Sequence, residues 1–107
     1  MYLFQRETSY NIGFQSMLTI TAHTGGTETI FELEGKLAGP WVQELKGCWR
    51  QAVIGDQQVR VMLNAVTFID GAGRKLLADM HRQGVALVAE GFMMKAIIEE
   101  IIRAEDL

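Results

Sequence analysis

The chain has 107 residues and a mass of 12.0 kDa, the size of one domain. Apolar residues make up 49% and charged residues 21%. This composition indicates that the chain is neither a disordered tail nor a membrane-spanning segment. The net charge of -3 weighs against nucleic-acid binding, because such proteins use an excess of basic groups on phosphates. The single cysteine, Cys48, cannot form an internal disulfide, so we expect a cytoplasmic protein.

The first sixteen residues are unusually apolar for a solvated tail. They hold four of the nine aromatic residues, and Tyr10, Ile12 and Phe14 alternate with polar residues as in a strand. Two interpretations stay open for residues 1–16. They are either sequence upstream of a natural start at Met17, or an extra strand that pairs with a sheet edge of its own chain or of a second copy in a homodimer. Residues 17–107 form the predicted domain.

That domain begins with a predicted β-hairpin. Residues 18–23 alternate between apolar and polar side chains, Gly25-Gly26 supplies a turn, and residues 29–34 alternate again. We expect the second strand to stop at Gly35.

A helix is predicted next, with Pro40 in its first turn and Gly55 just past its end. Its apolar face repeats at helical spacing and consists of Trp41, Val42, Leu45, Cys48, Trp49, Ala52 and Val53.

The remaining chain alternates strands and helices. Val59 to Leu63 predicts a strand buried on both faces, and residues 66–69 lead to Asp70, the N-cap of a second helix that ends at Gly84. The inward stripe of that helix is Leu76, Leu77 and Met80. A short strand, Val85 to Ala89, precedes a last helix with the apolar face Met93, Met94, Ile97, Ile98, Ile101 and Ile102. The order predicts an α/β (α+β) domain, with three helices packed on a mixed sheet of four to five strands.

The residues offer little support for catalysis. His23 and His81 lie in separate elements without other ligands at metal-binding spacing, and Cys48 is expected to act as a small apolar residue. The run Gly71-Ala72-Gly73 lacks the remaining residues of the nucleotide-binding motifs, and the Asp70 carboxylate would repel a phosphate. We therefore predict no catalytic residue, no metal site and no cofactor.

From Met17 to about Ala104 the sequence resembles STAS domains (sulfate transporter and anti-sigma factor antagonist). The matching stretches are Leu33 to Leu37, Val61 to Gly73 followed by Leu76-Leu77, and Gly84 to Val88. The resemblance implies a partner-binding module without catalytic activity. In bacterial anti-anti-sigma factors the loop after the equivalent of Asp70 carries a Ser or Thr, which an anti-sigma kinase phosphorylates. The unmodified form binds that kinase and frees the sigma factor.

This chain departs from the family pattern at the phosphorylated position. Gly71 stands at the phosphoacceptor position, Ala72 follows it, and Ala38 stands where the family often has an acidic residue. Thr67 is the nearest hydroxyl, but it precedes the helix and is a poor substitute. The resemblance therefore implies a non-phosphorylatable antagonist-like protein in bacterial transcription regulation, with its docking loop retained.

The predicted partner-binding loop is Asp70, Gly71, Ala72 and Gly73. The candidate partner face adds Gly39, Pro40, Trp41, Arg74, Lys75 and Arg82; with Asp79, the outer face of the second helix has a net charge of +2, three basic minus one acidic. An ordinary solvated helix face explains these charges equally well. The expected partner is an anti-sigma factor or kinase, or a transporter ATPase, with no nucleic acid and no membrane insertion. Two alternative functions stay open: an accessory subunit of an ABC transporter for lipids or solvents, and a small-molecule sensor.

Overall fold

A computed structural model describes the backbone of residues 6–9 and 18–105 and the side chains of residues 18–104. In chain order the elements are β1 (Arg6–Ser9), β2 (Leu18–Gly25), β3 (Glu28–Leu37), α1 (Pro40–Ile54), β4 (Gln58–Ile69), α2 (Gly71–Arg82), β5 (Ala86–Val88) and α3 (Phe92–Glu105).

The strands form one mixed sheet in the order β1-β2-β3-β4-β5. The pairs β1/β2 and β2/β3 are antiparallel, whereas β3/β4 and β4/β5 are parallel. Three helices pack on this sheet, so the predicted fold class is confirmed. Within the first sixteen residues, β1 lies beside β2, with Arg6 opposite Thr24 and Ser9 opposite Thr21. The alternating residues Tyr10 to Phe14 lie outside the described residues.

The core lies on one face of the sheet. Because β3, β4 and β5 follow one another in the same direction across it, right-handed crossovers place α1 and α2 on the same side. The prediction that Val59 to Leu63 is buried on both faces is wrong: Val59, Val61 and Leu63 are buried, but Arg60 is exposed and Met62 only half-buried. On α2, the predicted inward residues Leu76, Leu77 and Met80 are all buried.

Two strands run further than predicted. β3 does not stop at Gly35 but continues to Leu37, and residues 66–69 belong to β4 itself. The parallel ladder continues through two register shifts, the second between Gly35 and Lys36. Gly35 has a φ of 109°, a conformation that glycine adopts without a Cβ clash, so the irregularity is accommodated within the strand.

The helix faces also differ from the predictions at their ends. Val53 is 54% exposed and Met93 is 74% exposed, so neither belongs to the buried face of its helix. Gly55 caps α1 with a φ of −80°, and the left-handed position falls one residue later, on Asp56 with a φ of 59°. The Asp56 amide donates to the Val53 carbonyl, so the last turn of α1 extends one residue beyond Gly55.

None of the helices in the described part of the chain is long and apolar enough to cross a membrane.

Candidate functional site

The first turns of two helices lie side by side at the carboxyl ends of β3 and β4. Leu37 and Ile69 are register partners there, and the Asp70 amide donates to the Leu37 carbonyl at 3.1 Å. Residues 39–40 then begin α1, and residues 70–73 begin α2. We call these two segments the helix-start edge. Binding sites of α/β proteins commonly lie at this end of parallel strands.

The Asp70 carboxylate joins the two segments. Its Oδ1 accepts from the Gly73 amide at 2.7 Å, which confirms the predicted N-cap of α2, and its Oδ2 accepts from the Gly39 amide at 3.0 Å. The hydrogen bonds from the Gly39 and Gly73 amides lower the pKa of Asp70 below its ordinary value, because they stabilise the charged carboxylate. The side chain therefore acts as a clamp between α1 and α2.

The bond to Gly39 was missing from the sequence-based prediction. Gly39 and Asp70 are 31 residues apart, and only the alignment of β3 with β4 brings them together. Gly39 has a φ of 60° and no side chain to cap α1. Asp70 thus holds the backbone at the start of α1 through the Gly39 amide, while α1 has no side-chain cap.

Gly73 has a packing role in this edge. A Cβ at Gly73 would lie 2.7 Å from the Leu37 carbonyl oxygen and 2.9 Å from Ile69 Cγ2, so the first turn of α2 packs against β3 and β4 without room for a side chain. Gly71 differs: it is exposed, and a Cβ there would have no neighbouring atom within 4 Å. Asp70 and Gly73 therefore hold the loop in place, and Gly71 and Ala72 form its exposed surface.

Trp41 does not belong to the surface on which the sequence analysis placed it. Its exposure is 6%, and it packs in the core cluster, whereas Gly39 and Pro40 are exposed. The physical reason is the helical period: the apolar face of α1 begins one residue after Pro40 and already points to the sheet. Ala38 is also buried, at 8% exposure.

The basic residues of α2 are largely matched by acidic neighbours. Arg74 forms a 3.1 Å ion pair with Glu100 of α3, and Arg82 contacts Asp79 one turn before it. Lys75 is exposed near the helix-start edge. The predicted surplus of positive charge on this face is therefore partly neutralised.

The other polar candidates lie apart from the edge. Thr67 is on β4, and its hydroxyl donates to the Gly35 carbonyl at 3.3 Å. His23 contacts Glu32 at 3.0 Å, and His81 lies in the last turn of α2. Cys48 is half-buried on α1. Among residues 18–104 no group of three or more His, Cys, Asp or Glu side chains is arranged to hold a metal ion.

No protein-family model matches the chain, and no curated protein matches it either. The resemblance to STAS domains therefore stays a prediction from the sequence.

Proposed function

We propose that the chain is a non-catalytic protein-interaction module of the anti-sigma factor antagonist type, and that it docks its partner through the helix-start edge. The observation that carries this proposal is the Asp70 clamp, which joins the Gly39 and Gly73 amides through one carboxylate. The two loops therefore form one preorganised surface, and preorganisation lowers the entropic cost of binding.

The chemistry of the edge favours a protein partner over a phosphate ligand. Helix N-termini attract anions through their unpaired amides, but here the Asp70 carboxylate occupies the Gly73 amide and brings its own negative charge. The exposed loop surface consists of Gly71 and Ala72, whose small size lets a partner approach the backbone closely. Lys75 adds a positive charge beside it, which would steer an acidic partner surface.

The same surface supports a module without a phospho-switch. The residue that follows the clamp is Gly71, so the loop offers no hydroxyl at the position that is phosphorylated in the family. The open space around Gly71 indicates that the position could hold a small side chain without disturbing the loop.

The test compares two substitutions of similar size at one position, Gly71→Ser and Gly71→Asp. Each purified variant is titrated against the anti-sigma factors and kinases encoded in the same genome, and the dissociation constants are measured by calorimetry. We expect wild type and Gly71→Ser to bind one of these proteins, and Gly71→Asp to bind it at least about tenfold more weakly, because a desolvated charge enters the interface. Lys95→Glu, an exposed charge reversal on α3, serves as the control and should bind as wild type.

Folding does not confound this comparison, because an acidic residue in the first turn of α2 is favourable for the helix. Equal affinity of Gly71→Ser and Gly71→Asp would contradict docking through this edge. If none of the candidate anti-sigma proteins binds and a transporter ATPase does, the chain is an accessory transporter subunit instead. A small molecule that raises the melting temperature while no protein binds would favour the sensor.

A further inference from the structure

A groove separates the second halves of α1 and α2. It has a volume of about 640 Å³ and is open to solvent along its length. Its wall on α1 includes Trp49, Val53 and Ile54, and its wall on α2 includes Asp79 and Arg82. We call it the α1–α2 groove. The helix-start edge lies at the opposite ends of the same two helices, so the two surfaces are distinct.

The α1 wall of the groove is apolar and exposed. Val53 is 54% exposed and Ile54 is 78% exposed, and Trp49 beside them is half-buried. Trp49 and Val53 lie one turn apart and form a strip along one side of α1. Ile54 lies beside the end of this strip, one turn after Arg50. Large apolar side chains that the core does not cover commonly mark a binding surface when they are contiguous.

Positive charge borders this strip. Lys46 and Arg50 lie on α1 and Arg82 on α2, against one acidic residue, Asp79, so the groove has a net charge of +2 in a chain whose net charge is -3. Arg82 is paired with Asp79. Across residues 18–104, however, neither Lys46 nor Arg50 takes part in an ion pair. Their charge is therefore available to an acidic ligand.

We propose that the α1–α2 groove binds an acidic amphipathic helix of a partner protein. A helix laid along the groove would place apolar residues spaced at i, i+3 or i+4, and i+7 on Trp49, Val53 and Ile54, and acidic residues on its flanks near Lys46 and Arg50. The groove is concave between two helices, which suits the convex surface of a third helix.

The probe is a synthetic peptide of about 18 residues, long enough to form a helix, with Leu on one face and Glu on both flanks. Its matched control has Lys in place of every Glu. Both are titrated into the isotope-labelled protein by NMR and calorimetry. We expect saturable binding of the acidic peptide with shifts at Trp49, Arg50 and Val53, and at least about tenfold weaker binding of the basic peptide.

Substitutions locate the site. The double variant Lys46→Glu/Arg50→Glu should weaken binding of the acidic peptide at least about tenfold, and Ile54→Ser should weaken it through the loss of apolar contact. Lys75→Glu carries the same type of charge change outside the groove and should bind as wild type. The positions are exposed or half-buried, and urea titration confirms that each variant is folded.

Three results would overturn the proposal. The first is equal affinity for the acidic and basic peptides, or no binding of the acidic peptide at millimolar concentration. The second is a set of shifts at the helix-start edge instead of the groove. The third is binding to vesicles of phosphatidylglycerol without binding to the acidic peptide, which would assign the groove to a membrane surface. None of these results depends on Gly71, so a failure of this proposal can be distinguished from a failure of the proposed antagonist function.

Discussion

Two glycines in the first turn of α2 should respond in opposite ways to the same substitution. Gly71 and Gly73 share one helix turn, so helix propensity alone predicts that alanine stabilises the protein at both positions, by up to about 1 kcal/mol. In the structure, however, the space around the two glycines differs. A Cβ at Gly71 meets no atom within 4 Å, whereas a Cβ at Gly73 lies 2.7 Å from the Leu37 carbonyl oxygen.

The magnitude for Gly73→Ala follows from that distance. Ordinary contacts of a Cβ begin near 3.4 Å, so the overlap is 3.4 − 2.7 = 0.7 Å against a backbone atom. Leu37 cannot retreat easily, because its carbonyl also accepts from the Asp70 amide at 3.1 Å. Overpacking of this kind costs about 1–3 kcal/mol. We therefore expect Gly73→Ala to destabilise the protein by about 1–3 kcal/mol and Gly71→Ala to leave it unchanged or stabilise it by up to about 1 kcal/mol.

Urea denaturation followed by circular dichroism measures both free energies of unfolding. The slope with denaturant should be the same for the two variants and wild type, so that shifts of the midpoint report stability alone. If the free energies of unfolding of Gly73→Ala and Gly71→Ala differ by less than about 0.5 kcal/mol, the spread of ordinary surface substitutions, the first turn of α2 is not held against Leu37.

Two further predictions concern the clamp and the glycines of other elements. Asp70→Asn should remove a pH-dependent stabilisation: because the pKa of Asp70 is lowered from 3.8, its carboxylate stabilises the fold fully above that value and loses this effect as pH falls through the lowered pKa. The stability gap between wild type and Asp70→Asn should be constant near about pH 6 and shrink below about pH 3.8, and a gap that persists unchanged in acid would contradict the clamp. Gly35→Ala should destabilise by about 1–2 kcal/mol through its φ of 109°, while Gly47→Ala, in open space within α1, should stabilise by about 0.5–1 kcal/mol. Thermal unfolding of both would expose an error if the signs were equal.

The clamp also explains why the loop can keep its shape without a side-chain hydroxyl at position 71. In the described structure the loop is held by Asp70 and by the close packing of Gly73, and neither contact involves the side chain at position 71. The residue at position 71 can therefore be changed without removing the contacts that hold the loop. This is why the comparison of Gly71→Ser with Gly71→Asp tests docking and not folding.

Local spacing in the sequence was sufficient to predict the elements and the cap of α2. Helical and strand periodicity predicted all three helices and the strands of the 18–105 part. The sequence also predicts Asp70 as the N-cap of α2, because its carboxylate can accept from the amides of the first turn, and in the structure the donor is the Gly73 amide. Interactions within one helical turn depend on residues that are close in the chain, so the sequence displays them directly.

The contacts between distant parts of the chain required the folded structure. The bond between Asp70 and Gly39 needs β3 and β4 in their observed parallel register, and the exposure of Val53 depends on where the helix layer ends above the sheet. The period of an apolar pattern shows that a face is apolar, but it does not show how far a neighbouring element covers that face. For the same reason the 107-residue composition, with its modest net charge of -3, revealed neither the clamp nor the positive groove between α1 and α2.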